Sequence, residues 1–385
     1  MSTTTKYELL QAIRSRYLNG SRQLKKQLLD EFCSICGYNR KYAIRLLNSS
    51  VTVKSVKNLS RRGRKKIYDD PLIITVLRDI WIAANLPCSK RLKKIISLWL
   101  PFYNKHPLPD TVKQQLMNIS PATIDRLMAP SRTKFNKQGL ATTKPGSLLK
   151  KHIPVKTNQW NEKEPGFLEA DTVAHCGNSV AGMFVHTINC VDIFSQWSEQ
   201  RAIWGKGEIG VIKAIKSIEN HLPFPLKGFD CDNGSEFLNW HLYRYLTKHR
   251  KNPVQFTRAR AYKKNDNAHI ENKNWTNIRQ YLGYQRFDKP ELVDMLNELY
   301  TSEWNLYFNF FIPSVKLIQK IRVGSKTIKK YDKPKTPFQR LMESDYIDQK
   351  TKDELKKQFE SLNPFELQKR MKEKITAIIN VVNNK

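Results

Sequence analysis

Hydrophobic residues recur at helical spacing through the first part of the chain. Leu9, Ile13 and Tyr17 fall on one helical face, and a similar apolar pattern then runs as far as Gly37, which is a helix stop signal. After the tight GYN turn, Asn39 is placed to cap a third helix. Helix, glycine turn and basic helix form the helix-turn-helix pattern, so residues 1–60 are predicted to be a DNA-binding domain of that kind. An ordinary helical hairpin with a solvated basic face is the alternative.

A second helical block is predicted over residues 71–130. Its last part, DTVKQQLMNISPATIDRLM, again gives helix, short turn and helix, with Ser120 as the cap and Pro121 at the first helical position. This block is interpreted as a second helix-turn-helix domain. It is preceded by a basic linker over 61–70 and followed over 131–160 by an extended linker without periodicity.

The pattern changes to strands from residue 161. Three consecutive runs, including MFVHTINCVDIF, predict an antiparallel meander, and an amphipathic helix, a strand, a helix, a strand and a further helix follow. This order predicts an α/β layer with a mixed five-stranded sheet over residues 161–285. Residues 286–385 are predicted to hold helices and a basic hairpin around Gly324, in a small region that binds DNA or another subunit. The chain is therefore predicted to be multidomain.

The charge of the chain indicates a polyanionic partner. Its 385 residues carry a formal net charge of +32, and such an excess of Lys and Arg is typical of nucleic-acid binding. The membrane alternative is weaker, since no uncharged apolar run approaches the roughly 20 residues of a spanning helix. The start of the chain lacks the apolar core of a signal peptide, which predicts a cytoplasmic location. Cys33 and Cys36 are interpreted as helix cysteines rather than as a zinc site.

Three carboxylates lie where an α/β sheet can bring them together. Asp171 lies inside the first predicted strand, Asp232 at the end of the fourth, and Glu271 on the helix after the fifth. Three hard oxygen donors suit Mg²⁺ or Mn²⁺. Two such ions roughly 4 Å apart can activate a nucleophile and stabilise the leaving oxygen of a phosphodiester.

Other carboxylates near these positions compete for the same roles. Glu169 and Asp230 each lie two residues before a predicted ligand, on the same side of the strand, and are alternatives as ligands or supporting groups. Glu236 is predicted in the first turn of the following helix, where its charge suits the helix dipole. Asp192 and Glu199 are predicted to be surface charges at strand ends.

Three segments carry a family resemblance. EADTVAH, DCDNGSEF and KKNDNAHIENKNW resemble the three signatures of bacterial insertion-sequence transposases of the DDE type, whose core is similar to retroviral integrase and has an RNase H-like fold. Sixty residues separate Asp171 from Asp232 and 38 separate Asp232 from Glu271, the second gap being slightly longer than is usual for integrase cores. The clear resemblance covers roughly residues 160 to 285.

The resemblance implies a reaction and its partners. Asp171, Asp232 and Glu271 would be the catalytic residues and would hold two Mg²⁺ (or Mn²⁺) ions per active site. The enzyme would bind the ends of a mobile element in double-stranded DNA, nick them to free 3′-hydroxyls, and join these to target DNA by transesterification. It would act as a homo-multimer on paired ends, in a bacterial cytoplasm and associated with the nucleoid. Zinc-binding histidines like those of the retroviral amino-terminal module are missing ahead of the CxxC, so the helical modules would recognise the DNA ends.

Fourteen residues are predicted to contact DNA. They are basic or polar residues of the two helical modules, the first linker, the segment before the catalytic helix, and that helix itself. The set is Arg40, Lys41, Arg45, Arg61, Arg62, Arg64, Thr123, Arg126, Arg258, Arg260, Lys263, Lys264, His269 and Asn274.

Two other functions remain as alternatives. A non-catalytic DNA-binding regulator derived from a transposase would keep the fold, but the complete Asp, Asp and Glu set argues against it. A simple RNase H-like nuclease would not need two upstream helix-turn-helix modules.

Overall fold

The computed structural model describes residues 1–49, 67–132, 162–232, 234, 236–258, 268–323 and 326–384, and within these it leaves undescribed the side chains of residues 3, 4, 268, 269, 271, 320, 322 and 326. The chain divides into two compact units, Met1–Lys66 and Ile67–Lys385. The predicted linker 131–160 falls almost wholly outside the described residues. The six-part division drawn from composition stays a prediction.

The first unit contains three helices, α1 (Thr3–Asn19), α2 (Arg22–Cys36) and α3 (Arg40–Asn48). Gly37 ends α2 in the left-handed conformation with φ of 64°, as its position in the sequence predicts, and Asn39 caps α3. A small hydrophobic core lies between the helices, with Phe32, Ala43 and Leu47 fully buried.

The second unit begins with four helices. These are α4 (Pro71–Ala83), α5 (Ser89–Trp99), α6 (Asp110–Asn118) and α7 (Pro121–Arg132). The Ser120 hydroxyl accepts a hydrogen bond from the backbone N–H of Thr123 at 3.1 Å and so caps α7, as predicted. The buried faces of these helices join the core that also covers the sheet.

A five-stranded mixed sheet forms the centre of the second unit. Its strands are β1 (Phe167–Ala174), β2 (Val185–Asp192), β3 (Ser198–Trp204), β4 (Gly228–Cys231) and β5 (Gln255–Arg258). They lie in the order β3-β2-β1-β4-β5, with β1, β2 and β3 antiparallel and β4 and β5 parallel to β1. The predicted meander and the predicted mixed sheet are therefore confirmed.

Helices alternate with the later strands. Helix α8 (Glu208–His221) packs on β3, and α9 (Trp240–Thr247) connects β4 to β5. Helix α10 (Ala268–Lys273) continues through a π-helical segment, Asn274–Arg279, into α11 (Gln280–Leu282). Because α10 packs against β1 and β2, it lies over the centre of the sheet.

The carboxyl-terminal region packs onto the same core. Helix α12 (Glu291–Leu299) contacts β3 and continues into two π-helical segments, Tyr300–Trp304 and Tyr307–Phe311. The aromatic rings of Trp99 in α5 and Tyr307 lie 6.0 Å apart. This contact ties the upstream helices to the carboxyl-terminal region through one continuous core.

The chain then forms a hairpin and three further helices. The hairpin consists of β6 (Leu317–Val323) and β7 (Lys326–Tyr331), on either side of the predicted turn. It is followed by α13 (Pro337–Met342), α14 (Gln349–Glu360) and α15 (Pro364–Asn383), the last capped by Asn363 as predicted.

Candidate active site

Two carboxylates meet on neighbouring parallel strands, Asp171 within β1 and Asp232 directly after β4. Ala170 of β1 is paired with Cys231 of β4, so the residues that follow them, Asp171 and Asp232, stand side by side on strands about 4.8 Å apart. Burial, followed by the charge of Asp232, raises the pKa of Asp171 to about 7. Burial also raises the pKa of Asp232 to about 6. The sheet thus concentrates negative charge in a place that water solvates poorly.

A chain of amide groups holds Asp171. The Asn274 Nδ2 donates to Asp171 Oδ2 at 2.6 Å, and the Asn189 Nδ2 donates to Asn274 Oδ1 at 2.8 Å. Behind them, Gln200 Nε2 donates to Asn189 Oδ1 at 2.8 Å. The other Asp171 oxygen, Oδ1, accepts the backbone N–H of Thr172 at 2.7 Å. Both oxygens of Asp171 therefore have a donor, and the chain of amides fixes which way each amide points.

The turn after β4 brings in a further carboxylate. Glu236 is 3% exposed, and its Oε1 accepts from Thr172 Oγ1 at 2.7 Å and from Lys206 Nζ at 2.6 Å. Burial opposes the charge of Glu236, but the hydrogen bond and charge of Lys206 outweigh it and lower its pKa. The prediction that Glu236 lies in a helical first turn is wrong. Helix α9 begins only at Trp240, and Glu236 instead binds Thr172 of β1 and Lys206, which lies just after β3.

Gly234 is required here by space rather than by backbone angle. Its φ lies outside the left-handed range that favours glycine. A Cβ at this position would lie 2.6 Å from Glu236 Oε2 and 2.9 Å from Asp232 Oδ1. The Gly234 N–H donates to Asp232 Oδ1 at 2.9 Å. Glycine therefore lets the backbone approach both carboxylates closely.

The backbone of α10 carries Glu271 to the same strand. The Ile270 N–H donates to Glu169 Oε2 at 3.1 Å, and Asn274 binds Asp171, so Glu271 lies between two anchors on β1. The Glu271 side chain is outside the described part of the structure.

The competing carboxylates have structural partners. Glu169 is buried and accepts the N–H of Ile270, and Asp230 is buried and accepts the hydroxyl of Thr257. Both therefore support the backbone around the site. Asp230 in particular ties β4 to β5.

Asp192 and Glu199 are not surface charges, and that prediction is wrong. Asp192 is 0% exposed and accepts from the backbone N–H groups of Gly166 and Ser195. Glu199 is 1% exposed and pairs with Arg201 at 3.2 Å. Burial raises the pKa of Asp192 to about 6 and of Glu199 to about 7. Each lies in a strand covered on both faces, which the sequence of one strand does not reveal.

The predicted DNA contacts of the first unit lie on the exposed side of α3. Arg40, Lys41 and Arg45 are exposed. Arg40 forms an ion pair with Asp30, and the Arg45 guanidinium lies over the ring of Tyr42, 5.2 Å from its centroid. Lys41 forms no side-chain hydrogen bond or ion pair with the described residues.

The other predicted contacts lie in the second unit or outside the described residues. Thr123 is half-buried on α7 and accepts a hydrogen bond from exposed Arg126 at 3.2 Å. Arg258 ends β5, and His269 lies on α10 with its side chain undescribed. Six predicted contacts lie outside the described residues, namely Arg61, Arg62, Arg64, Arg260, Lys263 and Lys264.

Sequence reasoning missed four residues that support the site. Thr172 and Lys206 donate directly to Glu236, whereas Asn189 reaches Asp171 through one amide and Gln200 through two. Asn189 gave a signal, since it is an amide in the apolar run TINCV. Its meaning depends on the antiparallel register, which pairs it with Asp171.

Comparison with known proteins identifies a relative along almost the whole chain. The chain is 36% identical over 344 residues to the uncharacterized protein y4rM of Sinorhizobium fredii, covering 88% of this chain and 96% of that protein. The chain belongs to the y4rM family. No protein-family model matches the sequence of the present chain.

Two solved structures that are similar to the present chain come from retroviruses. One is the catalytic core domain of BIV integrase, with 13% identity and a TM-score of 0.27, covering 45% of this chain and 91% of that one. Another is a simian T-cell lymphotropic virus intasome in complex with the PP2A regulatory subunit B56γ. It has 12% identity and a TM-score of 0.30, covering 63% and 87%. TM-scores this low do not support an argument about the fold, so the fold is described here from its own strand order.

The described residues contain neither a ready cluster of metal ligands nor a membrane-spanning helix. No group of three or more His, Cys, Asp or Glu side chains stands ready to hold a metal ion among them. The Glu271 side chain is not among these described groups. None of the described helices is long and apolar enough to span a bilayer.

Proposed function

We propose that this y4rM family member is a transposase of the integrase type, which nicks the ends of a mobile DNA element and joins the freed 3′-hydroxyls to target DNA. The observation that carries the proposal is the pair Asp171 and Asp232. Both are half-buried; Asp171 lies within β1, Asp232 directly follows the neighbouring parallel strand β4, and no Lys or Arg forms an ion pair with either among the described residues. Helix α10, with Glu271, is anchored on the same strand.

The donor chemistry fits divalent cations. Adjacent carboxylates with raised pKa values gain most from a cation that neutralises both, and hard oxygen donors suit Mg²⁺ or Mn²⁺. Asp171, Asp232 and Glu271 would hold two such ions. When bound, the ions would supply activation of the attacking oxygen and stabilisation of the leaving oxygen.

The protein's own groups would orient this site. The amides of Gln200, Asn189 and Asn274 run from β3 to β1 and direct an N–H toward Asp171, which keeps one carboxylate oxygen in a fixed position. Lys206 neutralises Glu236, so this third carboxylate does not add its full charge to Asp232. Preorganisation of this kind avoids reorganising the site during the reaction.

The net charge supports DNA as the substrate. A charge of +32 over 385 residues attracts phosphates along an extended path. We infer that α3, with Lys41 and Arg45 exposed, contacts the element ends, and that Thr123 and Arg126 on α7 contact the adjoining duplex. Two ends processed together would require a homo-multimer.

The test is strand cleavage and joining by purified full-length protein. The substrate is a duplex carrying the terminal sequences that flank the coding region, with Mg²⁺, and the products are nicks at the 3′ ends and joined strands. Asp232→Asn should abolish both products. Asp294→Asn, the same exchange at an exposed position of α12, is the matched control and should leave them unchanged.

Two outcomes would contradict the proposal. Cleavage that survives Asp232→Asn would remove Asp232 from the active site. Specific end binding with neither cleavage nor joining, in Mg²⁺ and in Mn²⁺, would favour the non-catalytic regulator instead.

A further inference from the structure

A polar cavity lies on the other side of the helix that carries Asn274. Its volume is about 280 Å³, and its walls come from α5, from Gln196 between β2 and β3, from residues 272–277 of that helix, and from the hairpin β6–β7 with the segment leading into it. Among the lining residues are Arg91, Lys273, Ser314, Lys329 and Tyr331. The space is large enough for several water molecules.

The cations in this cavity lack an anion. Lys273 is 8% exposed and has no hydrogen-bond or ion-pair partner among the described residues. Arg91 donates from Nε to the Pro313 carbonyl at 2.8 Å and makes no ion pair with a described carboxylate. The charged groups near enough to act on Lys273 are Arg91 and Arg340, both positive. No carboxylate is among the described residues that line the cavity.

A buried hydroxyl adds an unused donor. Ser314 lines the cavity, and its Oγ is enclosed without a partner among the described residues. Buried polar groups are normally hydrogen-bonded, and a buried charge without a partner is costly. Buried Lys273, half-buried Arg91 and the enclosed Ser314 hydroxyl therefore surround one space without an anion among the described lining residues.

We propose that this cavity binds a phosphate group. Arg offers a fork of donors to tetrahedral oxyanions, Lys adds a point charge, and Ser314 adds a hydroxyl donor. Lys329 and Tyr331, at the exposed end, would contact the same anion. The phosphate could belong to a DNA backbone that crosses the basic hairpin or to a small phosphorylated molecule. The DNA version rests on the proposed function, whereas the site itself does not.

Anion-dependent thermal stability tests the site without DNA, metal or activity. The melting temperature of the full-length protein is measured with inorganic phosphate or pyrophosphate against chloride at equal ionic strength. Saturating phosphate should raise it by about 3 °C, since a ligand that binds only the folded state stabilises it. Lys273→Met should melt higher than the wild type in chloride and weaken phosphate binding about tenfold.

Substitutions at exposed residues of the hairpin test phosphate binding without disturbing the fold. Lys329 and Tyr331 line the cavity, and Lys330 between them points to the other face of β7. Lys329→Met should weaken phosphate binding, whereas Lys330→Met, which removes the same charge, should not. Equal stabilisation by phosphate of wild type, Lys273→Met and Lys329→Met would overturn the proposal, as would no stabilisation beyond that of chloride.

A DNA-binding measurement with the same variants identifies the source of the phosphate. If Lys329→Met weakens binding to a duplex more than Lys330→Met, and pyrophosphate competes with the duplex, the cavity binds a backbone phosphate. If the anion effects hold while both variants bind DNA equally, the ligand is a separate phosphorylated molecule. If the protein turns out not to catalyse strand transfer, the anion measurements still test the cavity, because they involve neither DNA nor metal.

Discussion

Asp232→Asn tests the electrostatic cost of the carboxylate pair. Only one oxygen of Asp232, Oδ1, is hydrogen-bonded among the described residues, and it accepts from the Gly234 N–H. Asparagine can keep that bond and place its NH₂ at the other oxygen's position. Asp171→Asn is less clean, because both Asp171 oxygens accept from N–H donors and an NH₂ would face one of them. Asp232→Asn therefore removes charge with little change in contacts.

The magnitude follows from the raised pKa. Burial raises the pKa of Asp232 to about 6, against about 3.9 for an exposed Asp. At 1.36 kcal/mol per pH unit, the charged form costs the folded state about 3 kcal/mol at pH 8. Because the folded pKa is the higher one, the folded state binds the proton more tightly, and this contribution to stability falls as pH rises from about 4 to about 6. Asp232→Asn should thus gain about 2–3 kcal/mol at pH 8 and almost nothing near pH 4.

The assay is urea unfolding of wild type and variant at pH 4 and pH 8 with a chelator present. Mg²⁺ is then added at pH 8, where it should stabilise the wild type and leave Asp232→Asn nearly unchanged. Asp294→Asn, exposed on α12, controls for the loss of one carboxylate. A variant no more stable than the wild type at pH 8, or one equally stabilised at both pH values, would refute the reasoning.

Three further changes test other parts of the molecule. Gly234→Ala should displace the carboxylates beside it and reduce Mg²⁺-dependent stabilisation at a folding cost of about 1–3 kcal/mol, whereas Gly207→Ala, with nothing within 4 Å of its Cβ, should do neither. Asn274→Ala removes a hydrogen-bond donor to Asp171 and should therefore raise the pKa of that carboxyl. Mg²⁺ should then begin to stabilise the protein only at a higher pH, which thermal melting across a pH series measures. Lys41→Ala should weaken DNA binding and reduce the salt slope by about one, and an unchanged slope would exclude a phosphate contact.

The elements of the core could be predicted because their signals are local. Short windows of sequence predict the alternating strands, the order of strands and helices, and the cap at Asn363. The structure confirms all three. The positions of Asp171 inside β1 and Asp232 just after β4 follow from the same windows. Their convergence additionally needs β1 and β4 to be neighbours, which strand order provides.

The errors arose where burial depends on distant segments. Asp192 and Glu199 read as surface charges because a strand's own sequence does not show that both of its faces are covered. Glu236 read as a helix residue because the sequence after Gly234 is compatible with an earlier helix start. Its contact with Thr172 joins residues 64 positions apart in the chain, and no local pattern predicts such a contact.

The structure also suggests why polar groups are so frequent beneath the candidate site. A buried carboxylate without a cation is costly, and each supporting contact limits that cost without neutralising Asp171 itself. The amides reach Asp171 as neutral donors, and the ammonium of Lys206, whose charge acts on Asp232, is bound to Glu236. A Lys bound directly to Asp171 would stabilise the fold more, but it would occupy the position where a divalent cation is proposed. The arrangement thus favours an exchangeable cation over a permanent ion pair, and replacing the amide of Asn274 by a cationic side chain should stabilise the protein while abolishing its response to Mg²⁺.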